Sequence, residues 1–396
     1  MIYLDNNATT AIAPEVVASM EPYFTTAYFN PSSAYDASRG PSSAIAAART
    51  TVAHFLGGVH PDEIIFTGCA TESNNAAIFG TIRAQSERRH IITTAVEHPS
   101  VLEVCKEARR EGCEVSFIGV NRRGELDEDA FVKALRPDTL LVSLMHGNNE
   151  TGVIFPIAAL ARVVKETNPA ILFHTDATQT AGKLALDLCG DLQHVDLLSF
   201  SGHKLHGPKG VGALFVRRGA RIRPFLCGGH QEGGRRAGTE NVAYIVALAK
   251  ACELATAAMA DEGGMRDLRD HLEARLCAAI PWLEVNGAGA ERLPNTLNLA
   301  CHCIEGESML YQLDAAGICA SSGSACTSGS LEPSHVLKAM DIPFMAMHGS
   351  IRFSLSRYTT REEIDAVIAQ FPGIVDRLRR LSPYWDASRQ APRGAA

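Results

Sequence analysis

Short runs of apolar residues alternate along this chain with segments whose apolar positions recur every three or four residues, and the two periods predict different elements. The runs at 63–67, 91–95, 115–118, 140–145, 171–176, 197–201 and 212–216 read as strands buried on both faces. Helical periodicity fills several of the intervals, at 72–83, 100–111 and 157–166, and an Ala-rich helix at 39–56 precedes them. The pair Pro14-Glu15 opens a further helix, since proline suits the first helical position and an acid suits the first turn. Strands and helices in this alternation predict an α/β fold with a mostly parallel sheet covered by helices. A long Ala-rich helix at 241–268, broken near Gly263-Gly264, leads into a last third with strand 297–299, helix 307–316 and strand 351–355. That third reads as a compact α+β unit. The division expected is a large domain at 15–257 and a smaller one built from 1–14 and 258–396.

In open α/β sheets ligands bind beyond the carboxyl ends of the strands. The polar residues gather at those ends: His98, Asn149, Asp176 with Gln179, and Ser201 with His203 and Lys204. Lys204 sits between a polar strand end and a Gly-Pro turn, an odd place for an ordinary surface lysine. An amine becomes a nucleophile when it is partly desolvated or close to other cations. Alone it would still read as a solvated side chain, but Asp176 closes a neighbouring strand and makes a pair with it. Lysine and acid in this relation suit a pyridoxal phosphate (PLP) site, where the lysine carries the Schiff base and the acid keeps the pyridine nitrogen protonated. The strand at 63–67 runs through Gly68-Cys69-Ala70-Thr71 into a helix, which makes an anion site of free N–H groups and a helix dipole. Thr71 can add its hydroxyl there or act only as the helix N-cap.

Composition narrows the classes. No run approaches the eighteen or so apolar residues of a membrane span, so a protein away from membranes is expected. The first residues lack a secretory pattern, and the eleven cysteines are scattered without framework spacing, so a reduced, cytoplasmic setting is expected. A formal charge of -7 and a pI near 6.1 leave no basic footprint for nucleic acid. Cys301-His302-Cys303 is a weak metal signal without further spaced ligands, so no metal is expected. The glycine-rich stretch 228–239 has two arginines but neither Walker spacing nor a strand-GxGxxG-helix setting. Cys326 lies among Ser, Gly and Ala at 320–330, a thiol on a stalk of small residues that reads either as a free surface cysteine or as a functional one. The tail at 377–396 is basic and then rich in Pro, Gly and Ala, and its tip is expected to be disordered.

Taken in order, these stretches resemble the class V aminotransferase-like PLP enzymes, and within them the cysteine desulfurases of the NifS and IscS type. The resemblance rests on Tyr3-Leu4-Asp5-Asn6-Asn7-Ala8-Thr9-Thr10, Asn30-Pro31-Ser32-Ser33, Ala70-Thr71-Glu72-Ser73-Asn74, Glu97-His98, Asn148-Asn149-Glu150, Ser201-Gly202-His203-Lys204, Arg236-Ala237-Gly238-Thr239, Ser324-Ala325-Cys326-Thr327 and Ser350-Ile351-Arg352-Phe353. It runs nearly end to end and implies PLP fold type I, like aspartate aminotransferase. It makes Lys204 the cofactor lysine and the base, and Asp176 the partner of the pyridine nitrogen. His98 becomes the residue that stacks on the ring and shuttles protons. Ala70, Thr71, Ser201 and His203 become phosphate contacts, and Asn149 and Gln179 contacts of the phenolic oxygen. Cys69 stands where many relatives have glycine, which implies a slightly tighter turn.

The resemblance further implies that Thr239 reaches the phosphate of the neighbouring subunit in a homodimer. Asn149 and Arg352 bind the substrate, with Arg352 clamping the carboxylate of L-cysteine. Cys326 accepts the sulfur as a persulfide and hands it to an iron-sulfur scaffold protein, touching a cluster at most transiently. The ending soon after Tyr384-Trp385 and the motifs at 3–10 and 236–242 resemble NifS, which serves nitrogenase, more than IscS, which serves housekeeping clusters. Aminotransferases and lyases of the same fold would not need Cys326 on such a loop, whereas a selenocysteine lyase would use the same apparatus. A binding module without chemistry is the remaining reading, and it would not show the absorbance of a lysine-bound cofactor.

Overall fold

A computed structural model describes residues 1–85, 87–259, 264–322 and 333–393. Its centre is a seven-stranded sheet in the order Ile64–Thr67, Gly212–Val216, Leu197–Ser201, Leu172–Asp176, Thr139–Met145, His90–Thr94, Glu114–Ile118. Gly212–Val216 runs antiparallel to both of its neighbours and the other pairings are parallel. Six strands are buried throughout, and only the edge strand Glu114–Ile118 carries exposed and half-buried positions. Continuous apolar runs are what a sheet covered on both faces requires. Ile64 and Phe66 point to one face and Ile65 to the other, as a period of two demands. Helices Arg39–Phe55, Ile157–Thr167 and Val242–Met259 cover the first face, and Ala70–Ala84 with Pro99–Arg110 cover the second.

A second core is built on a three-stranded antiparallel sheet of Leu283–Val285, Thr296–Cys301 and Ser350–Ser354. Helices Gly264–Ala279, Gly306–Ala315 and Arg361–Leu381 pack on it through Leu272, Leu276, Met309, Leu313, Val367 and Phe371. The N-terminal arm joins this core: Ile2–Tyr3 pairs with Ile318–Cys319, and Leu4 is fully buried in it. The arm then passes back to the large sheet, where Thr10 donates its amide to His203 O.

Several expectations change. The helix predicted at 241–268 with a break near Gly263-Gly264 is two helices, Val242–Met259 and Gly264–Ala279, as that break requires, but the second runs well past the predicted end. Val242–Met259 has a mean hydropathy of 1.6 and is long and apolar enough to cross a membrane by length and composition, so the expectation that no segment approaches that limit is corrected. Its hydrophobicity is explained by packing, because Val242, Ile245, Leu248, Cys252 and Ala255 are buried against the large core. The tip of the tail, expected to be disordered, lies outside the described residues at 394–396, and what precedes it is regular. Residues 377–381 end the helix Arg361–Leu381, and Trp385–Asp386 pairs with Ala391–Pro392. Arg379 is buried and donates to the carbonyls of Pro281, Trp282 and His302 at 2.6, 2.9 and 3.2 Å, with its guanidinium 4.2 Å from the Trp385 ring centroid.

Candidate active site

The carboxyl ends of the parallel strands line a cavity of about 320 Å³, within the size range of small-molecule sites. Ala70, Thr71, His98, Asn149, Asp176, Gln179, Ser201, His203, Lys204 and Arg352 all face it, so ten residues singled out in the sequence meet at one place. Thr239 does not. It lines a separate cleft of about 170 Å³ with Gly68, Arg236 and Asn241. Cys326 lies outside the described residues, and Ser321 and Ser322, just before that stretch, line the cavity.

Lys204 ends a short helical turn, Gly202–Lys204, that follows the strand Leu197–Ser201 directly. Its Nζ donates to the carbonyls of Asn7 and Ala8 at 2.5 and 2.7 Å, so the N-terminal arm closes one side of the site. Asp176 is the last residue of its strand and is buried. Its Oδ1 accepts the Thr178 amide at 2.9 Å and its Oδ2 accepts Asn74 Nδ2 at 2.7 Å. The same Asn74 amide donates to Ser100 Oγ at 2.9 Å, and Ser100 Oγ lies 2.8 Å from His98 Nδ1. The Ser100 backbone amide also donates to Nδ1, at 3.1 Å, so this ring nitrogen is the acceptor and the proton of the neutral ring sits on Nε2. Burial lowers the His98 pKa, Asp176 opposes the shift, and Lys204 adds to it. A continuous chain of hydrogen bonds therefore joins the Asp176 carboxylate to the His98 imidazole.

Asn74 and Ser100 are the members of this chain that the sequence reading did not single out. A signal existed for Asn74: it lies one helical turn after Thr71 and must share its face. The helix holding both begins at Ala70 rather than at residue 72. Cys69 is its N-cap and makes no side-chain cap, so Thr71 is the second helical residue and not a cap. The amides of the first turn are left to the cavity. Cys69 itself is extended, at φ -178° and ψ 172°, a conformation open to any residue. The tightness falls instead on Gly212 of the adjacent strand, where a Cβ would stand 2.7 Å from Phe200 O and 2.9 Å from the Cys69 carbonyl carbon.

His203 Nδ1 contacts Thr9 Oγ1 at 3.2 Å, and burial, reinforced by Lys204 and Lys209, pushes its pKa down to about 4, so it is neutral near pH 7. Gln179 Nε2 donates to Asn7 O at 3.1 Å. Arg352 is buried, donates to Asn149 O at 2.8 Å, and pairs with Asp5 at 2.7 Å. Its Nε, like Ser201 Oγ, Thr178 Oγ1 and Gln179 Oε1, is buried with no hydrogen-bond partner among the described residues. Buried polar atoms left unpaired are costly, and their collection around one cavity marks capacity for a polar ligand.

The cysteine cluster has another character. Cys301 is buried in the apolar core of the smaller sheet, which pushes its thiol up to about 12, and Cys303 donates to Tyr384 O at 3.4 Å. His302 pairs with Glu284 at 3.0 Å. Among the described residues no group of three or more His, Cys, Asp or Glu is placed to hold a metal ion.

Residues 2–367 match the model of the class-V aminotransferase family, and the chain belongs to that family. It is 53% identical over 384 residues to cysteine desulfurase 2 of Trichormus variabilis, covering 97% of this chain and 95% of the relative. It is 51% identical over 388 residues to the cysteine desulfurase NifS of Azotobacter vinelandii, covering 98% and 96%. Among solved structures, a NifS-like protein superposes with a TM-score of 0.89 at 37% identity, covering 95% of this chain and all of that one. The family assigns the cofactor as PLP and the fold as type I. The cavity fits that cofactor: an amine and a buried carboxylate stand on adjacent strand ends, uncapped amides open the helix at Ala70, and unpartnered polar atoms line the wall.

Proposed function

We propose that this chain is a cysteine desulfurase, which converts L-cysteine to L-alanine and carries the released sulfur as a persulfide on Cys326. The observation that carries the proposal is the meeting of Lys204, Asp176, His98 and Arg352 around one cavity whose rim runs into the segment that bears Cys326. PLP, when bound, supplies an electron sink that makes the substrate's Cα acidic and weakens its C–S bond. The first-turn amides at Ala70 and Thr71, with Ser201 and His203, would hold its phosphate, and the neutral His203 suits a donor there. Asp176 would hold a proton on the pyridine nitrogen, His98 would cover the ring, and Asn149 and Gln179 would face its oxygen. Lys204, whose amine rests on the carbonyls of Asn7 and Ala8, would hold the cofactor and, when free of it, would take the proton from Cα.

Arg352 orients the substrate carboxylate through its Nε and the edge it shares with Asp5. The Cys326 thiolate then attacks the substrate sulfur. An S–S bond forms as the Cβ–S bond breaks, the electron pair returns to the carbon skeleton, and protonation releases alanine. No outside oxidant enters, because the pair that the sulfur gives up in forming the persulfide is taken by the carbon skeleton, whose Cβ becomes the methyl group of alanine; a thiol on an acceptor then removes the outer sulfur.

The identity to the Azotobacter relative favours a NifS-type role, with an iron-sulfur scaffold for nitrogenase as the acceptor. We place the protein in the cytoplasm, in keeping with cysteines that are all free thiols among the described residues. Thr239 lies away from its own chain's cavity, on a loop that Arg236 fastens to Glu72 at 2.8 Å, and a homodimer in which it reaches the partner's phosphate accounts for that position. The same reading takes 15–257 as the large domain and the remainder as the small one. The test is the reaction itself: purified protein loaded with PLP should form equal amounts of alanine and sulfide from L-cysteine and a thiol reductant. A Cys326→Ser variant that matched the wild type would refute the proposal.

A further inference from the structure

The turn after the strand Thr139–Met145 holds both ends of the segment that contains Cys326. On one side, Ser321 pairs with Arg352 through the backbone in both directions, at 3.1 and 2.6 Å, and the Arg352 guanidinium donates to Asn149 O at 2.8 Å. On the other side, Ser334 Oγ donates to Glu150 Oε2 at 2.5 Å while accepting the amides of Val336 and Leu337 at 3.1 and 3.2 Å. The next residue, His335, donates its Nε2 proton to Glu97 O at 2.9 Å. Glu97 and Glu150 are the neighbours in sequence of His98 and Asn149, which face the cavity.

The turn is itself rigid. Asn148 Oδ1 accepts the amides of Glu150 and Thr151 at 2.9 Å each, and Asn298 Nδ2 donates to Glu150 O at 3.1 Å. Helix capping by Ser334 does not call for a buried carboxylate. A glutamate in this position costs desolvation, which is visible in a pKa raised to about 7 mainly by burial, despite the Ser334 bond and the nearby Arg352. What the carboxylate adds is a strong bond across 184 residues of chain between the cofactor wall and the stem that follows Cys326.

We propose that Glu150 and Ser334 are positioning residues for sulfur transfer: they fix the stem after Cys326 to the Asn149 turn and so set where the thiol can meet the substrate. The inference rests on the desulfurase reading above. Cys326 precedes Ser334 by eight residues, so the anchor limits the reach of the thiol without touching cofactor or substrate.

The test compares two steps in the PLP-loaded enzyme by stopped flow and rapid quench. The cysteine-induced change in cofactor absorbance reads substrate binding, and alanine formed in a single turnover reads sulfur transfer. Ser334→Ala should leave the amplitude and cysteine dependence of the absorbance change within about twofold. It should slow alanine formation by about 10- to 100-fold, the size expected for losing one charge-assisted hydrogen bond that acts on a single step. Ser334→Thr, which keeps the hydroxyl, should restore alanine formation. If Ser334→Ala does not accumulate as folded protein, Glu150→Gln carries the same test, because it keeps the volume and removes the charge. Unchanged alanine formation, an equal loss in both steps, or no rescue by threonine would overturn the inference while leaving the desulfurase reading in place. A wild-type enzyme that makes no alanine would overturn both.

Discussion

Asn74→Ala is the perturbation that probes the site most sharply away from the reacting atoms. Among the described residues the Asp176 carboxylate accepts from the Asn74 amide at 2.7 Å and from the Thr178 amide at 2.9 Å. A hydrogen bond from a neutral donor to a buried carboxylate stabilises its charged form by about 1.5–3 kcal/mol, so its loss removes that much support from the Asp176 charge. A carboxylate that has lost a donor is a less well supported partner for a pyridinium. If that charge sustains the electron sink, kcat should fall by about 10- to 100-fold. The same substitution removes the donor to Ser100 Oγ, which loosens the hydrogen bonding that holds His98 in one tautomer. The assay is the pH profile of kcat/KM for L-cysteine, together with the absorbance of the lysine-bound cofactor. The profile should change shape as well as height, because the chain of hydrogen bonds from Asp176 to His98 has been cut. A lowered melting temperature with an unaltered pH profile would show Asn74 to be packing only and would refute the reasoning.

Lys204→Ala should abolish turnover, and borohydride treatment of the loaded wild type should trap the cofactor on the Lys204 peptide; trapping on Lys209 would contradict the assignment. Glu97 is fully buried, accepts Thr94 Oγ1 and the Met145 amide on one oxygen, and has its pKa pushed up to about 8, chiefly by burial. The unfolded chain loses this proton near pH 4.5 and the folded chain only near 8, so between those values the native state binds more protons and stability falls as pH rises. Glu97→Gln keeps an acceptor and removes the proton linkage. The variant should therefore gain on the wild type between pH 5.5 and 8 in urea unfolding, by on the order of 3 kcal/mol, and an equal difference at both pH values would sink the argument.

Much of the fold was legible because its strands are continuous apolar runs and its helices keep one buried stripe. The strand ends at Asp176 and Ser201 were legible for the same reason, and with them the Asp176–Lys204 pair. Contacts between distant segments were less so. Asn74 is an ordinary helical asparagine until the helix Pro99–Arg110 brings Ser100 beside it, and Asp5 becomes a partner of Arg352 only when the N-terminal arm crosses to the strand Ser350–Ser354. The part of the helix Gly264–Ala279 beyond residue 268 escaped because its buried apolar positions are only Leu272 and Leu276. Arg379 escaped because a buried guanidinium is recognised by the three carbonyls that surround it, and those lie in other segments.

The central claim is that sulfur leaves cysteine for Cys326. Wild-type enzyme loaded with PLP, given one equivalent of sulfur-labelled L-cysteine and no reductant, should release alanine and keep one labelled sulfur on the peptide that contains Cys326, removable by a thiol. Label on Cys301, Cys303 or Cys319 instead, or sulfide released freely with Cys326 unlabelled, would contradict the account.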